Sequence, residues 1–268
     1  MKKLYTYIIP NNTHFGVEAD TNGVDSIFID LEYMGKDERQ GHLNTHKAAH
    51  QLDDISSYSK NPLKGELLVR INPIWDGSKY EIDQVISRGA ERIMLPMARE
   101  VNEIEQFKSF VSDRVPVVLL LETKNIIENI SSLIGLLGKE DRIHFGLNDL
   151  SIDFNFKFLF EILSNNILQN PCEILQKNGI DFGIGGIGRI GSGILDPKLI
   201  LNEYTRLGSS WVILSRAFHC NLKSFKSLKP HYDELQIFYK NALNLGDEEL
   251  NLSREKLIEK VNDICKNK

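Results

Sequence analysis

Cysteine is scarce in this chain. Three cysteines, Cys172, Cys220 and Cys265, occur among 268 residues, and no two of them form a CxxC pair. An odd, widely spaced set of this kind excludes a disulfide framework and argues against a zinc site built from cysteines.

Long apolar runs and clusters of positive charge are also missing. No apolar run reaches the roughly 18 residues that mark a membrane-spanning helix. The opening residues, MKKLYTYIIPNN, lack the apolar core and small-residue cleavage site of a signal peptide. Lysine and arginine are spread evenly and the net charge is −5, which argues against a nucleic-acid partner. We therefore expect a cytoplasmic protein that binds a small molecule and neither a membrane nor a nucleic acid.

What is present is the composition of an ordinary soluble enzyme, 41% hydrophobic and 26% charged. Short apolar segments alternate with amphipathic ones, without an internal repeat or a linker. Strands are predicted over residues 4–9, 26–32, 66–72, 92–97, 117–122, 142–149, 181–186 and 210–216. Helices are predicted over residues 43–58, 80–88, 101–111, 125–137, 157–178 (divided at Pro171), 197–207, 232–245 and 253–265. This pattern predicts an α/β fold, a (β/α)8 TIM barrel over residues 1–220 with a helical C-terminal extension over residues 221–268.

Residues 116–151 carry the strongest signal for chemistry. The apolar runs VVLLLE and RIHFGLND end in Glu122 and Asp149, and the apolar residues between them recur at helical spacing. A strand–helix–strand crossover would place both carboxylates at the carboxyl ends of barrel strands, where active sites are built. With water and substrate oxygens they would suit a hard divalent cation. The alternative for each position is a helix N-cap or a surface carboxylate.

The segments LLLET and FGLNDLSIDF resemble two motifs of the HpcH/HpaI aldolase and citrate lyase β-subunit family, and the similarity extends over about residues 26–218. The resemblance implies that Glu122 and Asp149 hold Mg²⁺ or Mn²⁺, and that Asp153 matches a further acidic position of the lyase branch. It also implies a homo-oligomer, because C-terminal helices in this family commonly pack on a neighbouring subunit.

The end of the second strand resembles the same family. Asp30 and Glu32 lie in the segment IDLE, on one face of the predicted strand. In the family's aldolases a histidine usually follows this segment and in its lyases often an aspartate, whereas this chain has Tyr33. Tyr33 could be an acid or base, a substrate contact, or simply a different wall of the site. The following charged loop, GKDERQG, resembles the lyase branch.

Arg70 lies in VRINP, another segment that resembles the family. The resemblance implies that Arg70 holds the carboxylate or keto-acid end of the substrate. A guanidinium suits this role because it makes paired hydrogen bonds to a planar carboxylate. The alternative is a surface salt bridge, but an arginine in a buried strand needs a partner. The segment RGAERIMLPMA also resembles the family and is expected to serve barrel packing.

Three histidines follow the charged loop at intervals of four residues, His42, His46 and His50. Histidines at this spacing on one helix face can bind a metal. A solvated helix face is the favoured interpretation, because no carboxylate lies at matching spacing.

A glycine-rich stretch, GIGGIGRIGSG, occupies residues 183–193 and holds six glycines. It follows the predicted seventh strand, where barrels often bind phosphate through backbone N–H groups. We predict that Gly186 and Arg189 contact an anionic second half of the substrate. The alternative is a flexible lid or a tight hairpin-like excursion of the chain.

These observations, together with the resemblance, predict a divalent-metal-dependent carbon–carbon lyase or aldolase that acts on a pyruvate- or oxaloacetate-type keto acid. Arg70 would hold the carboxylate, and Asp30, Glu32 or a water on the metal would move the proton. Two alternatives stay open: a CoA-thioester lyase or thioesterase of the citrate lyase β-subunit type, and a non-catalytic metabolite-binding relative. The combination of Arg70, Glu122 and Asp149 argues against the second.

Overall fold

The computed structural model describes residues 3–35, 50–219, 222 and 224–267. These residues form a closed parallel barrel in which every strand pairs with the next and the eighth pairs with the first. The strands are β1 (Tyr5–Ile8), β2 (Ser26–Asp30), β3 (Glu66–Arg70), β4 (Arg92–Leu95), β5 (Val117–Leu121), β6 (Arg142–Phe145), β7 (Phe182–Ile187) and β8 (Trp211–Leu214). The predicted (β/α)8 barrel is confirmed.

The barrel has two separate apolar layers. Alternate strand residues point inward and fill the lumen, and the lumen cluster consists of Tyr7, Phe28, Leu68, Met94, Val118, Leu120 and Trp211. The other strand residues point outward and join the larger core between the barrel and its helices. Strands buried on both faces are apolar almost throughout, and this explains why short apolar runs predict them well.

Helices surround the barrel. In the described residues they are α1 (Thr13–Thr21), α2 (Leu52–Ser59), α3 (Ser78–Ser87), α4 (Val101–Val111), α5 (Lys124–Glu128), α6 (Ile130–Leu133), α7 (Leu147–Asp153), α8 (Glu161–Ser164), α9 (Gln169–Lys177), α10 (Pro197–Arg206), α11 (Arg216–His219), α12 (Lys229–Ala242) and α13 (Asp247–Lys266). Short 3-10 helices occupy Ile134–Leu136 and Phe225–Leu228. None of the described helices has the length and apolar character needed to cross a bilayer.

Several helices differ from the sequence prediction. Helix α1 was not predicted, although Asn12 caps it by accepting a hydrogen bond from the Phe15 N–H at 2.9 Å. The helix predicted over residues 125–137 is broken at Asn129, whose side-chain amide donates to the carbonyl of Asn125. Asparagine competes in this way with the helical backbone. Pro171 lies in the first turn of α9, where proline is tolerated, and therefore does not divide a helix.

The amino ends of the strands are closed by an ion network. Glu66 accepts hydrogen bonds from Arg92 at 3.0 Å and from Arg142 at 2.6 Å. The Arg142 guanidinium also lies 3.8 Å from the ring centroid of Trp211. The network therefore lies at the end of the barrel that contributes to stability, opposite the site described below.

The two C-terminal helices pack on the chain's own barrel. Tyr232 on α12 donates a hydrogen bond to the carbonyl of Gly23, and Tyr239 donates one to the carbonyl of Ser209. On α13, Leu257 and Val261 are buried in the large core. The extension thus completes the apolar layer outside the barrel.

Candidate active site

A cavity of about 480 Å³ lies at the carboxyl ends of the strands. Its charged lining residues come from five separate segments: Glu32, Arg70, Glu122, Asp149 and Arg216. Apolar residues from the segments after β6 and β7 also line the cavity. A concave site with a few polar groups and a mostly apolar lining is typical of small-molecule pockets.

Arg70 is the last residue of β3 and is held by the acidic pair at the end of β2. Its Nε and Nη2 donate to the two carboxylate oxygens of Asp30, at 2.9 Å and 2.8 Å. Glu32 lies 3.4 Å from the same Nε. Burial lowers the pKa of Arg70, but the charges of Asp30, Glu32 and Glu122 outweigh burial and leave the pKa above its ordinary value. The Nη1 edge faces away from Asp30 and can donate to a ligand.

Glu122 follows β5, is buried and lines the cavity. Its Oε2 accepts a hydrogen bond from the Met97 N–H at 3.3 Å, and Met97 has a φ of 54°. A positive φ is costly for a residue with a side chain, and such strain is concentrated at functional sites. Gly146 provides the space for the carboxylate, because a Cβ there would lie 2.5 Å from Oε1.

Asp149 is buried and lines the cavity, but it does not end a strand. Strand β6 ends at Phe145, Gly146 is the N-cap of α7, and Asp149 lies in the first turn of that helix. The predicted strand over residues 142–149 is therefore too long, because the apolar run continues into the helix. Asp153, four residues later, is exposed and accepts a hydrogen bond from the Lys124 N–H at 2.6 Å.

Glu122 and Asp149 offer the oxygen donors that Mg²⁺ and Mn²⁺ prefer. Within the described ranges, no group of three or more His, Cys, Asp or Glu side chains has the arrangement of a complete metal site. The two carboxylates fit a divalent cation of the Mg²⁺ type, which keeps several waters and is commonly held by one or two carboxylates.

Tyr33 borders a different cavity from the one that Arg70 and Glu122 line. It lines a second cavity of about 510 Å³ together with Asp30 and His50, and 68% of its surface is exposed. Its backbone N–H donates to the Asn72 side chain at 3.0 Å, so Asn72 fixes this loop. The tyrosine ring is not among the groups that line the main cavity.

His50 connects the end of β2 to the segment that follows β1. One ring nitrogen accepts a hydrogen bond from the Asp30 N–H at 3.0 Å, and the other donates to the carbonyl of Pro10 at 2.8 Å. Helix α2 begins only at Leu52, so His50 precedes it. His42, His46 and most of the charged loop lie outside the described residues.

The glycine-rich stretch is partly strand. Gly183, Gly185 and Gly186 belong to β7, and a Cβ on Gly183 would lie 2.3 Å from Nδ1 of His144. Close packing inside the barrel therefore explains the first of these glycines. Gly186 lines the cavity, whereas Arg189 is not among the lining residues, and contact of either residue with a substrate anion stays a prediction.

Sequence reasoning missed two titratable side chains that line the cavity, His144 and Arg216. His144 is fully buried on β6, and one ring nitrogen bonds the Gly185 carbonyl at 3.0 Å. Burial lowers the pKa of His144 to about 4; the Gly185 hydrogen bond opposes this change and the charge of Arg70 adds to it. Arg216 was predicted to end the eighth strand but begins α11. The sequence signal that could have identified Arg216 as a site residue was its position directly after the last barrel strand.

Comparison with known proteins identifies the family. The chain matches the family model "HpcH/HpaI aldolase/citrate lyase" over residues 4–159, which is more than half of its length. Comparison with curated protein sequences gives no match.

Several solved structures share the fold. An HpcH/HpaI aldolase from Desulfitobacterium hafniense DCB-2 is 15% identical with a TM-score of 0.58, over 92% of this chain and 95% of the other. An HpcH/HpaI aldolase/citrate lyase family protein from Burkholderia cenocepacia J2315 is 13% identical with a TM-score of 0.60, over 87% and 95% of the two chains. The citrate synthase SbnG is 13% identical with a TM-score of 0.58, over 90% of this chain and 94% of the other. At these identities the structures establish the barrel alone, and the family model decides the membership: the chain belongs to the HpcH/HpaI aldolase/citrate lyase family.

Proposed function

We propose that this chain is a divalent-metal-dependent carbon–carbon lyase of the aldolase type that acts on a pyruvate- or oxaloacetate-type keto acid. The observation that carries the proposal is the convergence of Glu122, Asp149 and Arg70 on one cavity at the catalytic end of the barrel. Membership of a family of aldolases and citrate lyases supports this type of reaction.

Glu122 and Asp149 would hold the cation, Mg²⁺ or Mn²⁺. When bound, it would act as a Lewis acid that polarises the keto group and stabilises the negative charge formed as the bond breaks. Arg70 would donate from its Nη1 edge to the substrate carboxylate, while Asp30 keeps the guanidinium in place.

The cleavage needs one proton to be taken and one returned. In a 4-hydroxy-2-keto acid, a base removes the hydroxyl proton, the C3–C4 bond breaks, and its electron pair moves to C3 to form the enolate of pyruvate. An aldehyde leaves, and C3 is then protonated. Glu32 is the side chain that we assign to this proton transfer, because it lines the cavity whereas both oxygens of Asp30 bond to Arg70.

The test is exchange of the methyl hydrogens of pyruvate for deuterium, followed by NMR in the presence of Mg²⁺ or Mn²⁺. We expect exchange in the unsubstituted chain and its loss after treatment with a chelator. Glu122→Gln and Asp149→Asn should each slow exchange by at least about 100-fold, because several kcal/mol of Lewis-acid stabilisation are lost. Both variants should also bind Mn²⁺ more weakly in a direct titration.

Asp153→Asn is the matched control, because Asp153 is an exposed carboxylate on the same helix as Asp149. It should retain exchange within about threefold. Full exchange by Glu122→Gln in the presence of chelator would refute the metal-dependent mechanism.

A further inference from the structure

We propose that Arg216 forms a second anion-binding subsite, which holds a carboxylate or phosphate on the half of the substrate away from Arg70. This inference rests on the proposed function, because it assigns a substrate class to the same cavity. The substrate would then be a keto acid that carries a second acidic group.

The position of Arg216 supports this assignment. It begins α11 directly after β8, and it lines the main cavity together with its neighbours Ser215 and Ala217. The Ser215 N–H donates to the carbonyl of Ile187 at 2.9 Å, which ties this segment to the end of β7. A Cβ on Gly186 would lie 3.4 Å from Cβ of Ser215, an ordinary contact distance, so the two segments lie side by side.

The bonding of Arg216 differs from that of Arg70. Asp30 and Glu32 neutralise Arg70, whereas Arg216 makes no hydrogen bond or ion pair to any residue that the structure describes. Partial burial lowers the pKa of Arg216; Asp30 opposes this change and the like charge of Arg70 adds to it. Arg216 therefore lies within electrostatic reach of the Arg70 pair and presents its own donors to a ligand.

The chemistry of a guanidinium defines the ligand class. Its planar set of donors matches a carboxylate or a phosphate, and a few charged groups in a mostly apolar cavity fix the orientation of a ligand. A substrate with two acidic groups could place one on Arg70 and the other on Arg216. Arg189, the arginine favoured by the sequence, does not line the cavity.

The experiment compares three ligands by calorimetry in the presence of Mg²⁺: pyruvate, with one acidic group, and oxaloacetate and 3-phosphonopyruvate, with two. Arg216→Ala should weaken binding of at least one two-acid ligand by roughly 10- to 100-fold and pyruvate by less than about threefold. The affected ligand distinguishes a carboxylate from a phosphate subsite. Arg99→Ala is the control, because Arg99 is exposed after β4 and does not line the cavity.

Three outcomes would overturn the assignment: equal weakening of all ligands, no weakening in Arg216→Ala, and no binding of either two-acid ligand by the unsubstituted chain. A selective loss in Arg189→Ala instead would move the subsite to the glycine-rich loop. Failure of pyruvate to exchange its methyl hydrogens would contradict the proposed lyase alone. The calorimetric comparison of one-acid and two-acid ligands measures binding and not turnover, so it still tests the role of Arg216.

Discussion

At the scale of single residues, Arg70 has to satisfy two demands. Its guanidinium shares one edge with Asp30 and keeps the other for a ligand. An arginine that is fixed in this way loses little conformational entropy when the ligand binds, because its donors are already oriented. Lysine could keep the charge, but its ammonium lacks the planar edge that bonds to both oxygens of Asp30 and the second edge that is left for the ligand.

We therefore expect Arg70→Lys to weaken binding of pyruvate by about 1–3 kcal/mol, the range for hydrogen bonds to charged groups. Calorimetry in the presence of Mg²⁺ would measure the change. Arg142→Lys is the control, because Arg142 bonds to Glu66 at the opposite end of the barrel. Pyruvate affinity that is equal in both variants would place Arg70 outside the site.

At the scale of secondary structure, strand β7 is shaped by its glycines. A Cβ on Gly183 would meet Nδ1 of His144 at 2.3 Å and Cβ of Trp211 at 2.8 Å. The register between β7 and β8 also shifts between Gly183 and Gly186. The strand can pass the buried histidine only where it lacks a side chain.

Gly183→Ala should lower the free energy of unfolding by about 1–3 kcal/mol or more, because it overpacks a closed core. Urea denaturation would measure the loss. For comparison, a Cβ on Gly135 meets nothing within 4 Å, so Gly135→Ala should change stability by less than about 0.5 kcal/mol. Equal stability of the two variants would show that β7 can move away from His144.

The strands could be predicted from the sequence because burial on both faces makes them apolar throughout. The ends of the strands were harder to predict, because local hydrophobicity does not show where the hydrogen bonds of the sheet end and those of the next helix begin. The apolar run of β6 continues past Gly146 into α7, so Asp149 was assigned to a strand although it lies in a helix. Arg216 was missed for the same reason, because it was counted as the last residue of β8. The ion pair of Arg70 with Asp30 depends on the register of two strands, which no local pattern specifies.

For the whole molecule, the buried histidine makes stability depend on pH. The pKa of His144 is lowered from 6.5 to about 4, so the unfolded chain binds a proton there that the folded chain excludes. His219 acts in the same direction, because burial and the nearby charge of Arg216 lower its pKa. The contribution of His144 to stability is therefore fully present above pH 6.5 and is lost as the pH falls towards 4.

Urea unfolding between pH 7 and 4, followed by tryptophan fluorescence, should show this loss, with His144 contributing on the order of 3 kcal/mol. In His144→Gln the dependence on pH over this range should be clearly shallower than in the unsubstituted chain. His231→Gln, at a partly exposed position on α12, should retain the full dependence. Identical curves for all three proteins would show that His144 binds its proton equally well in both states.

The seam of the barrel also constrains how the chain can fold as it is made. Tyr5 on β1 pairs with Trp211 on β8, so the sheet cannot close until the ribosome has synthesised and released the eighth strand. Until then, the growing sheet keeps two open edges with unpaired backbone groups and apolar faces. Closure across so long a loop is slow, and the exposed edges can recruit other nascent chains in the meantime. The yield of native protein should therefore depend on elongation rate and chaperone supply more than the stability of the finished barrel would suggest.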